Sequence, residues 1–260
     1  MKKNEPLSRQ QIMEIAPSVF TTQASDKVSD KYSFIPTSRV VDDLNTNGWE
    51  VFDVTQTKSK YKGGMYGKHM LRFRNEEFTN MGIGDILPEI VLTNSHDGRN
   101  AFRLHAGLFR LVCANGLIIA DTTFEQIKIK HQWYTMDDVD KMTDSMMEKI
   151  PTITSNISRF KRIELDEKTK KEFARRAITT RWEKGNDLLN VEDILRPTRL
   201  EDDGNDLWKV YNIVQEKLIR GGLVYNLASG RQQTARALTN IDKRIDVNKK
   251  LWELTEEYGG

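Results

Sequence analysis

The stretch NSHDGRNAFRLHAGLFRLVCANGL, residues 94–117, concentrates the side chains best suited to chemistry. It holds two of the four histidines, the one cysteine and three arginines. Three chemistries compete for it. Cys113 with His105 or His96 would make a thiol nucleophile, which needs an electropositive, partly open setting and a base in reach. Cys113 instead sits in the apolar run RLVCANGL, where a free cysteine reads as a small core hydrophobe. His96, Asp97 and His105 have the types that hold zinc or manganese, and so suit a metal-dependent nuclease. They lack HExxH or tight ligand spacing, and Asp97-Gly98 already reads as a turn. The third chemistry is anion binding. Arg103 and His105 share one face of an alternating segment, with Phe102 and Leu104 on the other. No acid lies between Gly98 and Ala120. A guanidinium buried without a partner is strongly unfavourable, so Arg103 must meet a distant acid or an anionic ligand. His69 and His131 read as packed or surface residues.

A second concentration precedes it. From Lys58 to Arg74 there are six basic side chains (Lys58, Lys60, Lys62, Lys68, Arg72, Arg74) and no acid. Tyr61 and Tyr66 lie among them, and Trp49 opens the strand before. Lysines and arginines for phosphates with aromatics for base stacking is the composition of a single-strand binder; a solvated basic hairpin is the other reading. Arg99, Arg103 and Arg110 extend the basic set. Nucleotide-driven chemistry finds no support: the one Gly-Lys pair, Gly67-Lys68, is followed by His and lacks the phosphate-loop spacing. Paired carboxylates such as Asp42-Asp43, Asp137-Asp138 and Asp202-Asp203 fall at helix starts or turns, where they favour the dipole or solvate a face.

The elements that must position these residues follow from periodicity. Residues 1–30 are polar and predict a loosely held, flexible arm with one short helix near Gln10–Ile15. Thr37 or Ser38 caps a helix carrying Val40, Val41 and Leu44, which Asn47-Gly48 ends. Trp49–Thr57 then reads as a strand. Past the glycine-rich tip at Gly63-Gly64 and Gly67, His69, Leu71 and Phe73 alternate with Lys68, Met70, Arg72 and Arg74, which places the basic set on the second face. Ile86–Thr93 and Ala101–His105 flank the Asp97-Gly98 hairpin turn. For AGLFRLVCANGL a short helix stopping at Asn115-Gly116 competes with a strand; the helix is favoured because strict alternation fails after Gly107. Leu117–Ala120 and Phe124–His131 read as a strand pair.

The later chain is helical. Val139, Met142, Met146, Ile150, Ile153 and Ile157 make one stripe behind a Thr135 cap, divided by Pro151. Lys168–Glu183, the segment from Leu207 to Leu218, and the stripe Ile241, Ile245, Asn248, Trp252 follow. Strands first and helices later predict an α+β fold: a mostly antiparallel sheet, then a helical half. The expected divisions are 1–30, a β-rich core at 31–134, and a helical region at 135–260.

The chain has 260 residues, 30% of them charged, and a net charge of only +2. A bulk polycation is excluded, so any nucleic-acid argument rests on how charge is distributed. One cysteine excludes a disulfide framework and fits a reducing compartment. There is no signal-peptide pattern and no long apolar run, which predicts a cytoplasmic protein without a membrane partner.

NSHDGRNAFRLHAGLFRLVCANGL, together with VYNIVQEKLIRGGLVYNLASGRQQTARALTNIDKRIDVNKKLWELTEEY, resembles the phage- and plasmid-borne family labelled domain of unknown function 932, over roughly Phe34 to Tyr258. That resemblance implies a mobile-element setting and transfers no catalytic residue. The passage from Ser38 to Arg74, a capped helix ending in LNTNGWEV and then a basic hairpin, resembles the opening of single-strand annealing recombination proteins. That resemblance implies a curved sheet, ring-forming protomers and a basic groove for DNA; residues 94–117 depart from that pattern.

The combined expectation is a mobile-element protein that binds single-stranded DNA, with strand annealing but no nucleotide hydrolysis, as a homo-oligomer. Lys60, Lys62, Lys68, Arg72 and Arg74 would hold phosphates, Trp49 and Tyr66 would stack on bases, and Arg99, Arg103, His105 and Arg110 would line the same surface. No catalytic residue, metal or cofactor is expected. A host-factor-blocking interaction protein and a nuclease using His96, Asp97 and His105 are the alternatives.

Overall fold

A computed structural model of the chain describes residues 5–29, 32, 34–58, 64–75, 77, 86–100, 102–110, 115–118, 136–183, 188–227 and 229–260. The chain divides into two compact units, Met1–Ile150 and Pro151–Gly260. The mixed class is as expected, with an antiparallel sheet first and helices later. The division falls later than residue 134.

In the first unit, α1 (Arg9–Ile15) begins at a reciprocal capping box between Ser8 and Gln11. A 3-10 turn at Pro17–Phe20 follows. Residues 9–20 are not a loose arm: Ile12, Ala16 and Val19 are fully packed in the core. The polar sequence concealed this, because the docking rests on a few scattered apolar side chains, Ile12, Ala16 and Val19 with the partly buried Leu7 and Phe20. The helix α2 (Thr37–Thr46) buries Val40, Val41 and Leu44. Its N-cap is Pro36, without a side-chain cap; the expected Thr37 hydroxyl is engaged elsewhere, as described below. Gly48 at φ 77° turns the chain into the sheet.

The strands β1 (Trp49–Gln56), β2 (His69–Asn75), β3 (Ile86–Asn94), β4 (Arg103–Arg110) and β5 (Asn115–Ile118) form one sheet in sequence order. All neighbours are antiparallel. Trp49, Val51, Val54, Leu71, Phe73, Ile90, Leu92 and Leu104 share a core with α1 and α2. A register shift between Val51 and Asp53 keeps both Val51 and Val54 on that face.

The helix expected after Gly107 is instead strand. Leu104 and Leu108 occupy one face and His105, Gly107 and Phe109 the other, so alternation continues through a residue without a side chain. Asn115-Gly116 pairs with Arg110 and Phe109 inside the sheet rather than stopping a helix. Cys113 and the expected strand at 124–131 lie outside the described residues. The helix α3 (Met136–Met147) belongs to this unit, and Asn47 donates to its Asp140 at 2.8 Å.

In the second unit, Pro151 stands in the first turn of α4 (Ile150–Phe160), where its missing donor does no harm. Then come α5 (Glu167–Arg181), the short α6 (Val191–Leu195) and α7 (Leu207–Arg220). Eleven of the fourteen α7 residues are buried, which makes it the central helix of the unit. Its Glu216 is held by Arg199 through two bonds of 2.6 and 2.7 Å. A two-stranded ribbon, β6 (Val224–Asn226) and β7 (Gln232–Thr234), separates α7 from α8 (Ile241–Gly259). Among the described residues no helix is long and apolar enough to cross a membrane.

Candidate nucleic-acid interface

The second face of the sheet carries the expected basic set, but buried. Arg72 is 1% exposed, Arg74 5% and Glu89 2%. Arg72 donates to Glu89 Oε2 from Nε and Nη2, both at 2.5 Å. Arg74 Nε donates to Glu89 Oε1 at 2.8 Å. The Arg74 guanidinium lies between two rings, 4.5 Å from the centre of Phe52 and 3.4 Å from that of Phe109. Glu89 faces Gly107 across β3 and β4. With no side chain there, Arg72 Nη2 also reaches the Leu108 carbonyl, at 3.4 Å. Burial lowers the Arg74 pKa from its ordinary value, and Glu89 opposes that shift.

These two arginines are therefore sheet-binding groups and are closed to a nucleic-acid backbone. Trp49 (1% exposed) and Tyr66 (6%) are closed to base stacking for the same reason, since both are core residues. His105 and Arg110 are also buried, on β4. Lys68 is buried and donates to Asn100 Oδ1 at 3.1 Å. Arg103 is half-buried opposite Thr93; among the described residues its guanidinium makes no hydrogen bond or ion pair, and its Nε is enclosed. Arg99 is open, with 83% of its side chain exposed and only a 4.0 Å approach to Asp97. Lys60 and Lys62 lie outside the described residues.

Glu89 is what sequence reasoning missed. The stretch from Lys58 to Arg74 holds no acid, but the partner of Arg72 and Arg74 stands one strand later, on β3. A lone acid in the apolar run ILPEIVLTN, in phase with Val91 and Thr93, was the available signal.

A second buried polar cluster lies between α2, the 3-10 turn and the sheet. The His69 ring is fully buried. Its Nδ1 is 2.7 Å from Ser18 Oγ and 3.0 Å from the Gly67 carbonyl; its Nε2 is 2.9 Å from Thr37 Oγ1. Ser18 Oγ donates to Gln56 Oε1 at 2.6 Å, so Nδ1 carries the ring proton and Thr37 donates to Nε2. Asn94 Nδ2 donates to Thr37 Oγ1 at 2.9 Å, and His96 Nε2 stands 3.4 Å from the same oxygen. Burial, reinforced by the facing His96, lowers the His69 pKa to about 3. Burial lowers that of His96 to about 4, against the Ser18 backbone and Asp97. Both rings are neutral at pH 7, and the Ser18–His69 pair is sealed from any substrate.

The nuclease constellation does not assemble. Asp97 accepts from Ser95 Oγ (2.7 Å) and the Arg99 amide (3.1 Å), closing its own turn. His96 packs against Phe34 and His69, while His105 lies on the opposite sheet face. Among the described residues no three metal-binding side chains gather.

What remains available lies at one end of the sheet. The β1–β2 and β3–β4 connections open at the same end, because all three intervening pairings are antiparallel and consecutive. The Lys68–Asn100 bond joins the two connections. Gly98 at φ 72° packs on Val28, where an added Cβ would lie 3.0 Å from Cγ1, so the loop is tightly seated. Lys58 and the half-exposed Met65 in the first connection and Arg99 in the second are exposed at this end.

Residues 24–252 match the family described as "Domain of unknown function (DUF932)". The chain is 31% identical to the UPF0380 protein YafZ of Escherichia coli K12 over 98% of its length and 93% of that protein's. It is 30% identical to the UPF0380 protein YfjQ of the same strain, with the same coverage. No solved structure matches it.

Proposed function

The chain belongs to the DUF932 family, and on that premise we propose that it binds single-stranded DNA at the β1–β2 and β3–β4 end of its sheet, in the service of strand annealing on a mobile element. The mobile-element setting rests on the resemblance to phage and plasmid proteins. The site is moved from the sheet face to the loop end, because Arg72 and Arg74 are consumed by Glu89.

One observation carries the reading. Arg99 projects with 83% of its side chain exposed from a seated turn at the sheet end where Lys58, Lys60 and Lys62 follow β1. No acid interrupts the chain from Lys58 to Arg74. Exposed Lys58 and Arg99, with Lys60 and Lys62 close by in the sequence, supply the positive charge that a phosphodiester strand attracts, and no sequence reading is required of it. Met65, 47% exposed at the hairpin tip, offers an apolar surface to an unstacked base.

Fluorescence anisotropy with a labelled oligothymidylate at low salt tests this. Binding by the wild type, weakened about tenfold or more in Lys58→Glu/Arg99→Glu, is expected. Equal affinity of the two proteins would remove the loop end from consideration. An annealing assay with complementary oligonucleotides should show the same ordering.

A further inference from the structure

We propose that the β6–β7 ribbon of the second unit is a separate contact for duplex DNA, with Arg231 at its tip entering a groove and Arg236 and Lys217 on flanking phosphates. Between Glu216 and Asp242 the chain has four cations (Lys217, Arg220, Arg231, Arg236) and no acid. Arg220 is committed to Glu216 at 3.3 Å. Lys217, Arg231 and Arg236 form no side-chain ion pair or hydrogen bond among the described residues, and both arginines are exposed.

The ribbon is held rigidly at its base. Gly222 donates to the Ala235 carbonyl, Ala235 to that of Leu223, and Leu238 to that of Ile219, each at 2.8 Å. The Arg181 guanidinium, 4.3 Å from the Trp182 ring centre, binds the Leu218 and Arg236 carbonyls and so ties α5 to α7 and to the segment that leaves β7. At Gly221, φ is +75° and an added Cβ would lie 2.3 Å from the Ala235 carbonyl oxygen. The tip is closed by Leu227 donating to the Arg231 carbonyl at 2.9 Å and by Gly230 donating to that of Leu227 at 2.8 Å.

Alternation divides the ribbon into two faces. Tyr225 and Gln233 face inward and share a hydrogen bond of 2.9 Å. Val224, Asn226, Gln232 and Thr234 face outward and exposed. The outward face is uncharged and rich in amides, while cations stand at its tip and base. Asn and Gln read base edges, and a two-stranded ribbon fits the major groove of a duplex; the arginines supply the phosphate contacts. An exposed apolar face would argue for a protein partner, but only Val224 is apolar here.

The inference does not depend on the single-strand site of the first unit, and the test separates them. Wild type, Arg231→Ala/Arg236→Ala, Asn226→Ala/Gln232→Ala and Lys58→Glu/Arg99→Glu would be titrated against a blunt duplex and against oligothymidylate. The arginine pair should weaken duplex binding about tenfold and make the log–log salt slope shallower by about 0.9 for each lost phosphate contact. It should leave oligothymidylate binding and the thermal unfolding midpoint unchanged. The amide pair should flatten the affinity differences between duplexes of different sequence. Failure of the wild type to bind a duplex, or equal duplex binding by the arginine pair, overturns the inference even if the single strand binds. Loss of oligothymidylate binding alone in Lys58→Glu/Arg99→Glu leaves the ribbon assignment intact.

Discussion

Arg72 and Glu89 stand on adjacent strands and meet through two bonds of 2.5 Å, with both side chains almost wholly enclosed. Arg74 takes the other carboxylate oxygen. Two cations thus share one anion inside the sheet unit. Such a group is costly to break and only modestly favourable to form, because desolvation offsets much of the attraction. It fixes how β2 and β3 face each other and withdraws two arginines from any ligand.

Glu89→Gln is expected to destabilise the protein by about 3–5 kcal/mol, since it leaves two buried guanidinium groups short of their anion. Replacing all three together, Arg72→Met/Arg74→Met/Glu89→Leu, should cost less than Glu89→Gln alone. Urea unfolding gives both numbers. A Glu89→Gln midpoint equal to that of the exposed Glu50→Gln would refute the role given to the cluster.

Acid should unfold the first unit through its buried histidines. Both folded pKa values, about 3 for His69 and about 4 for His96, lie below the ordinary value of 6.5. The unfolded chain therefore binds more protons, and stability rises with pH. The contribution is complete above pH 6.5 and is lost as pH falls toward 4, at roughly 1.4 kcal/mol per pH unit for each ring. Urea titrations at pH 7.5 and 5 check the sign, and His69→Gln should flatten the dependence.

Thr37→Val should cost about 1–3 kcal/mol despite its matching shape, because His69 Nε2 loses its donor and Asn94 Nδ2 its acceptor. Thr37→Ser keeps the hydroxyl and should cost less than half as much. Equal effects in thermal unfolding would mean that the methyl group, not the hydroxyl, matters.

Arg72→Ala separates structural from binding arginines. It should lower stability strongly yet leave oligothymidylate affinity unchanged for the protein that remains folded in the cold. A selective loss of affinity at unchanged stability would return this residue to the binding surface.

Periodicity made much of the fold legible. The strands at 49–56, 69–75 and 86–94, and the helices at 37–46, 207–220 and 241–259, follow from alternation, turn dipeptides and apolar stripes. Gly107 misled because a missing side chain looks like a broken pattern. Arg72 and Arg74 misled for a deeper reason: period two tells which residues share a face, not whether that face meets water. Burial depended on Glu89, whose pairing with both arginines needs strand register, a non-local property. The Ser18–His69–Thr37–His96 cluster was likewise hidden, because it joins four separate segments.

The central proposal is that cations of the β1–β2 and β3–β4 connections hold single-stranded DNA. The salt dependence of oligothymidylate affinity tests it most directly. With about four cations engaged, Lys58, Lys60, Lys62 and Arg99, the log–log slope should be about −3 for the wild type and near −1.5 for Lys58→Glu/Arg99→Glu. A wild-type slope near zero, or one unchanged by the double substitution, would contradict the account.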